Sequence, residues 1–127
     1  MRQIRTPLFL LSVGILMAAS PASAGDAENG RQLYVKCERC HSLDPNGPQE
    51  DGPHLYGIFG REAGTLESYT GYSEAMKASD VVWTEETLDE YIKKPKAFIK
   101  GTNMRFRKMG KEQDRQDLIA FLKENTQ

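Results

Sequence analysis

Apolar positions fall along the chain in three kinds of run. The first is continuous: Leu8 to Ala19 carries no charge, follows Arg2 and Arg5, and is broken by Pro21. The second recurs at helical spacing. Leu118, Ile119, Phe121 and Leu122 form a stripe at i, i+1, i+3, i+4. Leu88, Tyr91 and Ile92 do the same on a segment from Thr84 to Lys94, with Glu85 and Glu86 in its first turn and Lys93 and Lys94 in its last. Thr84 is the expected N-cap of that helix and Pro95 its expected end, with an irregular loop to follow. The third run spans Asp26 to Lys36, with Asp26 as N-cap and Gly30 and Tyr34 four apart on one face. Glycine inside a helix costs propensity, so Gly30 predicts close crossing by another helix, the 118–122 stripe being the natural partner. Tyr72 to Met76 reads as a short helical stretch whose Met76 packs in the core. Asp44 to Gly52 is rich in Pro, Gly, Asn and acids and reads as a loop. No segment alternates with a period of two, so the fold class is all-α.

The leading run changes the domain picture. A basic n-region, an apolar stretch shorter than the roughly 20 residues a membrane span needs, and Ala22-Ser23-Ala24 make a secretory signal cleaved after Ala24. Residues 1–24 are then a signal peptide and 25–127 a single domain in the periplasm, without stable membrane insertion. The whole chain has 17 basic and 18 acidic residues; without Arg2 and Arg5 the balance is 15 to 18, about −3. That balance gives no basic face for nucleic acid. A domain this small buries a modest share of its surface, and a large apolar cofactor would complete its core.

Such a cofactor has an attachment motif. Cys37-Glu38-Arg39-Cys40-His41 is C-x-x-C-H, the c-type haem signature. Two intervening residues let both sulfurs reach the vinyl groups on one porphyrin edge, and the next residue brings an imidazole under the iron. A thioredoxin-like pair would sit in a βαβ context, absent here. A zinc site would need a second pair of ligands, and the chain has one other histidine, His54, which reads as a solvent-facing loop residue. A plain disulfide leaves His41 without a role. The motif occurs once, so one covalent haem c is expected, with His41 as an iron ligand.

A sixth ligand is less readily assigned. Methionine commonly sits opposite histidine in low-spin electron-carrying haems. Met76, Met104 and Met109 are available downstream of the signal. Met104 follows Lys100-Gly101-Thr102-Asn103 in an irregular segment, where a single side chain can reach an iron; Met109 stands on equal chemical terms.

The order and spacing of further motifs resemble the class I cytochromes c, close to the mitochondrial cytochrome c and bacterial cytochrome c2 group, from Gly30 to Leu122. Gly52-Pro53-His54-Leu55-Tyr56-Gly57 resembles that family's G-P-x-L-x-G, Ile99 to Met104 its I-P-G-T-K-M, and Asp117 to Lys123 its C-terminal helix. The resemblance implies helices wrapped around one covalently attached haem, and Met104 as axial ligand. It implies that the Pro53 carbonyl orients His41, that Arg61 lies near a haem propionate, that Tyr72 and Trp83 donate to propionates, and that the Tyr91 hydroxyl approaches the ligand sulfur. One departure stands out: Lys100 occupies the place of a loop-stiffening proline, which makes the ligand easier to displace.

Charge is unevenly spread. Ser42 to Ile92 carries eleven acids and two basic residues, whereas Lys93 to Lys111 carries eight basic residues and no acid. The basic run, Lys93, Lys94, Lys96, Lys100, Arg105, Arg107, Lys108 and Lys111, surrounds the ligand segment and implies redox protein partners with acidic docking patches. The leading function is a monomeric, non-enzymatic one-electron carrier between larger redox complexes in a respiratory or photosynthetic chain. Two rivals are a haem enzyme or gas sensor with a labile sixth ligand, and a fixed electron-transfer subunit of a dehydrogenase or reductase. Cyanide or carbon monoxide binding at neutral pH separates the first rival, and isolation as a free monomer the second.

Overall fold

The computed structural model describes residues 24–127. The Leu8–Ala19 run and most of the cleavage motif lie outside the described residues. Five helices follow in order: α1 (Ala27–Tyr34), α2 (Glu74–Lys77), α3 (Glu85–Lys93), α4 (Pro95–Phe98) and α5 (Glu112–Asn125). The described chain is mostly helix and turn, with one isolated antiparallel bridge, Glu62 to Val82. Among the described residues no helix is long and apolar enough to cross a membrane.

The helices start where the sequence provides caps. Asp26 accepts the N–H groups of Glu28 and Asn29 at 3.0 and 3.2 Å. Thr84 and Thr87 exchange bonds in a capping box, at 3.2 and 2.7 Å. Ser73 caps α2 through the Met76 N–H at 3.0 Å. Helix α5 has no side-chain cap, so its stability comes from packing.

That packing is chiefly against α1. A Cβ on Gly30 would lie 2.0 Å from the Asp117 carbonyl oxygen and 2.8 Å from Phe121 Cβ, so the crossing tolerates only glycine. The Tyr34 and Phe121 rings meet at 5.4 Å between centroids. Leu118, Ile119, Phe121 and Leu122 are all buried, as are Leu88, Tyr91 and Ile92 of α3. The Asp117 carboxylate fastens the two helices: it accepts from Asp26 N at 2.7 Å, Asn29 Nδ2 at 2.6 Å and Gln113 Nε2 at 2.8 Å. These bonds hold its carboxyl below the ordinary range.

Three sequence expectations need correction. Helix α1 stops at Tyr34 rather than Lys36, because residues 35–40 tighten into the turns that carry Cys37, Cys40 and His41. Pro95 ends α3 but also opens α4 as its first residue. Its missing N–H costs nothing at that position, so the irregular segment that leads to Met104 begins at Ile99 instead of Pro95. His54 is half-buried, with its Nδ1 enclosed and unpartnered; burial, then the Arg61 charge, lower its pKa.

Candidate functional site

The turn after α1 presents the motif. Cys37 N donates to Tyr34 O at 2.7 Å, and Cys40 N and His41 N both donate to Cys37 O at 3.0 Å. One tight turn therefore holds both thiols and the imidazole. The cysteines are not paired with each other: Cys37 is half-buried and Cys40 exposed. Burial pushes the Cys37 thiol up to about 11. The motif sits in a turn after α1, with no strand before it among the described residues, which is not the βαβ setting of a thioredoxin-like pair.

His41 is fixed from three sides. Its Nδ1 lies 2.7 Å from the Pro53 carbonyl. A carbonyl only accepts, so Nδ1 carries the proton and Nε2 the lone pair. Burial lowers the His41 pKa against the opposing Pro53 bond, favouring the neutral ring a metal requires. Its backbone carbonyl accepts the Tyr34 hydroxyl at 2.6 Å. Gly52 lies flat against the ring: a Cβ there would sit 2.5 Å from His41 Cε1. Gly52 N also bonds Cys40 O at 2.8 Å. Two unpaired thiols, a neutral imidazole with Nε2 free, and a glycine cradle behind the ring together fit a covalently held haem.

Of the resemblance-derived residues, Pro53 meets His41 directly, and Tyr72, Trp83, Tyr91 and Met104 belong to or pack against the same core as Cys37. The 60–63 segment pairs with 81–83, through Gly60 N to Trp83 O at 2.8 Å, Trp83 N to Arg61 O at 2.9 Å and Ala63 N to Val81 O at 2.8 Å. That pairing sets Arg61 beside buried Trp83, whose ring meets that of Tyr91 at 5.0 Å. The Arg61 guanidinium donates to the His54 carbonyl at 3.0 Å and to the Tyr56 carbonyl, so it braces the loop that carries Pro53. Tyr72 stands next to it, half-buried, its hydroxyl raised by burial and partly restored by Arg61. Tyr69 packs edge-on to Tyr72 at 4.8 Å.

The three methionines separate by environment. Met76 and Met109 are 8% and 5% exposed, locked in the core. Met104 is half-buried at the edge of that core. Its N–H donates to Thr102 Oγ1 at 3.3 Å, and the same oxygen pairs with the Tyr91 hydroxyl at 2.8 Å. The structure thus ties Tyr91 to the Met104 backbone through Thr102. Sequence reasoning gave Thr102 no role; a polar residue two positions before a candidate ligand was the available signal. Asn103 Nδ2 adds a bond to the Gly71 carbonyl at 2.8 Å. All eight basic residues from Lys93 to Lys111 are exposed. An open hollow of about 630 Å³ between α3 and α5 is lined by acids such as Glu85, Glu90 and Glu112 and by none of the residues just described.

Comparison with known proteins agrees with this arrangement. A family model described as Cytochrome c matches residues 27–126. A cytochrome c2 of Blastochloris viridis is 44% identical over 124 residues, covering 98% of this chain and 94% of that protein. A cytochrome c of Gossypium barbadense is 44% identical over 106 residues, 83% of this chain and 95% of its own. One of Theileria parva is 46% identical over 101 residues, 79% and 86% respectively.

Proposed function

The chain belongs to the cytochrome c family, mono-haem electron carriers with one covalent haem c, and from that premise we propose how its own residues carry out the task. Cys37 and Cys40 would hold the haem covalently through their sulfurs, and His41 Nε2 and the Met104 thioether would be the groups offered to its iron. The observation that carries this reading is the His41 Nδ1 bond to Pro53 O at 2.7 Å, which fixes the tautomer and points the Nε2 lone pair away from the backbone.

Bound haem supplies a one-electron couple. The residues determine what that couple experiences. Pro53 keeps His41 in one tautomer and raises its basicity. Tyr91 and Thr102 hold the Met104 backbone, which would keep its thioether in one place whichever oxidation state a bound haem held. Arg61, Tyr72 and Trp83 carry the kind of donors that haem propionates would need. The buried shell of Leu55, Ile58, Leu88 and Ile99 keeps water away, which limits reorganisation during transfer. With His41 and Met104 both holding a bound haem, the chain would leave no ligand place for substrate, and the role would be carriage rather than catalysis.

Partners of this carrier present acidic patches to the exposed lysines and arginines between Lys93 and Lys111. The same reading assigns residues 1–24 as a cleaved export signal and 25–127 as the working periplasmic domain. Support comes from the basic, apolar and small-residue order of the leader, and from the alignment with the cytochrome c2, which at 98% of this chain takes in most of that leader. The test is a redox titration of the purified holoprotein with optical detection. A single one-electron wave with an unchanging six-coordinate spectrum, and no cyanide or carbon monoxide adduct at neutral pH, is expected; ready adduct formation would replace the carrier by a haem enzyme or sensor.

A further inference from the structure

Helix α5 carries a charge where a core helix usually avoids one. Arg115 is 4% exposed. Its Nε donates to Asp89 Oδ1 of α3 at 2.8 Å, and its Nη1 donates to the carbonyls of Met109 and Gly110 at 3.1 and 3.0 Å. One guanidinium therefore joins α5, α3 and the end of the segment that begins at Met104. Beside it, Met109 N donates to Ile92 O of α3 at 2.8 Å. Between these fasteners and Met104 the chain has no regular secondary structure, and Arg105, Arg107 and Lys108 are exposed. At the near end, Thr102 and Asn103 hold the segment through Tyr91 and Gly71.

We infer that Arg115 and Asp89 are positioning residues for Met104: a buried latch that closes the far end of the ligand loop and sets how readily the loop opens. The inference rests on Met104 being the distal ligand. A loop is held where its ends are held, and this one carries Lys100 where a proline would have stiffened it from within, so restraint comes from outside. The guanidinium suits the task because its planar fork satisfies two adjacent carbonyls and a carboxylate at once. Asp89 keeps that buried charge paired. Without it, the charge is stabilised by solvation in an open loop, and the open state gains population.

The test uses the holoprotein with Asp89→Asn, which keeps size and removes charge, against Ile119→Val, which removes a buried methyl group from the same face of α5 but leaves the charge pair in place. Two quantities are read: the affinity of the ferric protein for added imidazole, followed by loss of the near-infrared sulfur-to-iron band, and the hydrogen-exchange rate of the Met109 amide. Asp89→Asn should tighten imidazole binding and speed Met109 exchange by roughly tenfold each, as expected for a lost partner to a buried charge. Ile119→Val should move neither beyond its effect on global stability, and Asp89→Glu should restore much of both. Values for Asp89→Asn within about twofold of the parent, or equal to those of Ile119→Val, overturn the latch. If Met104→Ala leaves the near-infrared band in place, the ligand assignment fails instead, and Met109 exchange alone still decides whether the latch closes the loop.

Discussion

Replacing Gly52 by alanine places a methyl group where the structure has no room. The new Cβ would lie 2.5 Å from His41 Cε1, 2.8 Å from His41 Nδ1 and 3.0 Å from the Cys40 carbonyl oxygen. Carbon atoms in contact prefer about 3.5–4.0 Å, so the imidazole must retreat by about 1 Å. It cannot do so freely, because its Nδ1 bond to Pro53 O is 2.7 Å long and Gly52 N is itself tied to Cys40 O at 2.8 Å. A shift of that size takes the Pro53 bond outside hydrogen-bond range. Overpacking costs about 1–3 kcal/mol and the lost bond about 1 kcal/mol, for a total of about 2–4 kcal/mol. The assay is guanidinium unfolding of the holoprotein together with its reduction potential and ferric spectrum. Gly52→Ala should lose stability by that amount and shift the potential as His41 loses its fixed tautomer. Gly110→Ala, where an added Cβ meets nothing within 4 Å, should stay within about 0.5 kcal/mol of the parent. A Gly52→Ala protein that matched the Gly110 control in stability and potential would refute the idea that glycine at 52 exists to seat the imidazole.

Met104→Ala should abolish the near-infrared sulfur-to-iron band and lower the potential, whereas Met109→Ala should keep the band and lose about 2–5 kcal/mol of stability as a core truncation; the reverse pattern would move the ligand to Met109. Asp117→Ala should cost about 1–3 kcal/mol by stranding the donors of Asp26, Asn29 and Gln113. Because the folded-state pKa of Asp117 is lowered, its contribution is present above the ordinary aspartate value and fades as pH falls through the folded value. The gap between parent and Asp117→Ala in urea unfolding should therefore be full near neutrality and shrink in acid; a gap independent of pH would contradict the charged clasp. Reversing Lys100 and Lys108 to Glu should slow electron transfer to the natural partner at low salt without altering the spectrum. Reversing Glu67 and Glu74 to Lys should leave the rate alone or raise it, and the parent rate should fall as salt shortens the reach of these charges to about 8–10 Å. A rate insensitive to the lysine reversals would put docking on another face.

What the sequence made legible was local or carried by an ordered motif. Asp26 and Thr84 announced their helices because capping is a short-range event. Gly30 announced the α1–α5 crossing because nothing else justifies glycine mid-helix on a buried face. The 37–41 motif and the 52–57 segment fell where their chemistry required, twelve residues from His41 to Pro53 closing on one hydrogen bond. Pro95 was read through one of its two properties: it blocks a preceding helix and also favours the first turn of a new one. Thr102, Asp89 and Arg115 were silent because their roles come from partners eleven to twenty-six residues away, which no local pattern records. His54 is a loop residue as expected; its partial burial comes from the fold of the 52–61 segment and the Arg61 brace.

The intact mass of the purified, acid-denatured protein, measured with and without a thiol-alkylating reagent, tests the central claim most directly. The account predicts a chain beginning at Gly25 with one haem attached, surviving solvent extraction, and no alkylation at Cys37 or Cys40. Extractable haem with both cysteines alkylated would contradict it.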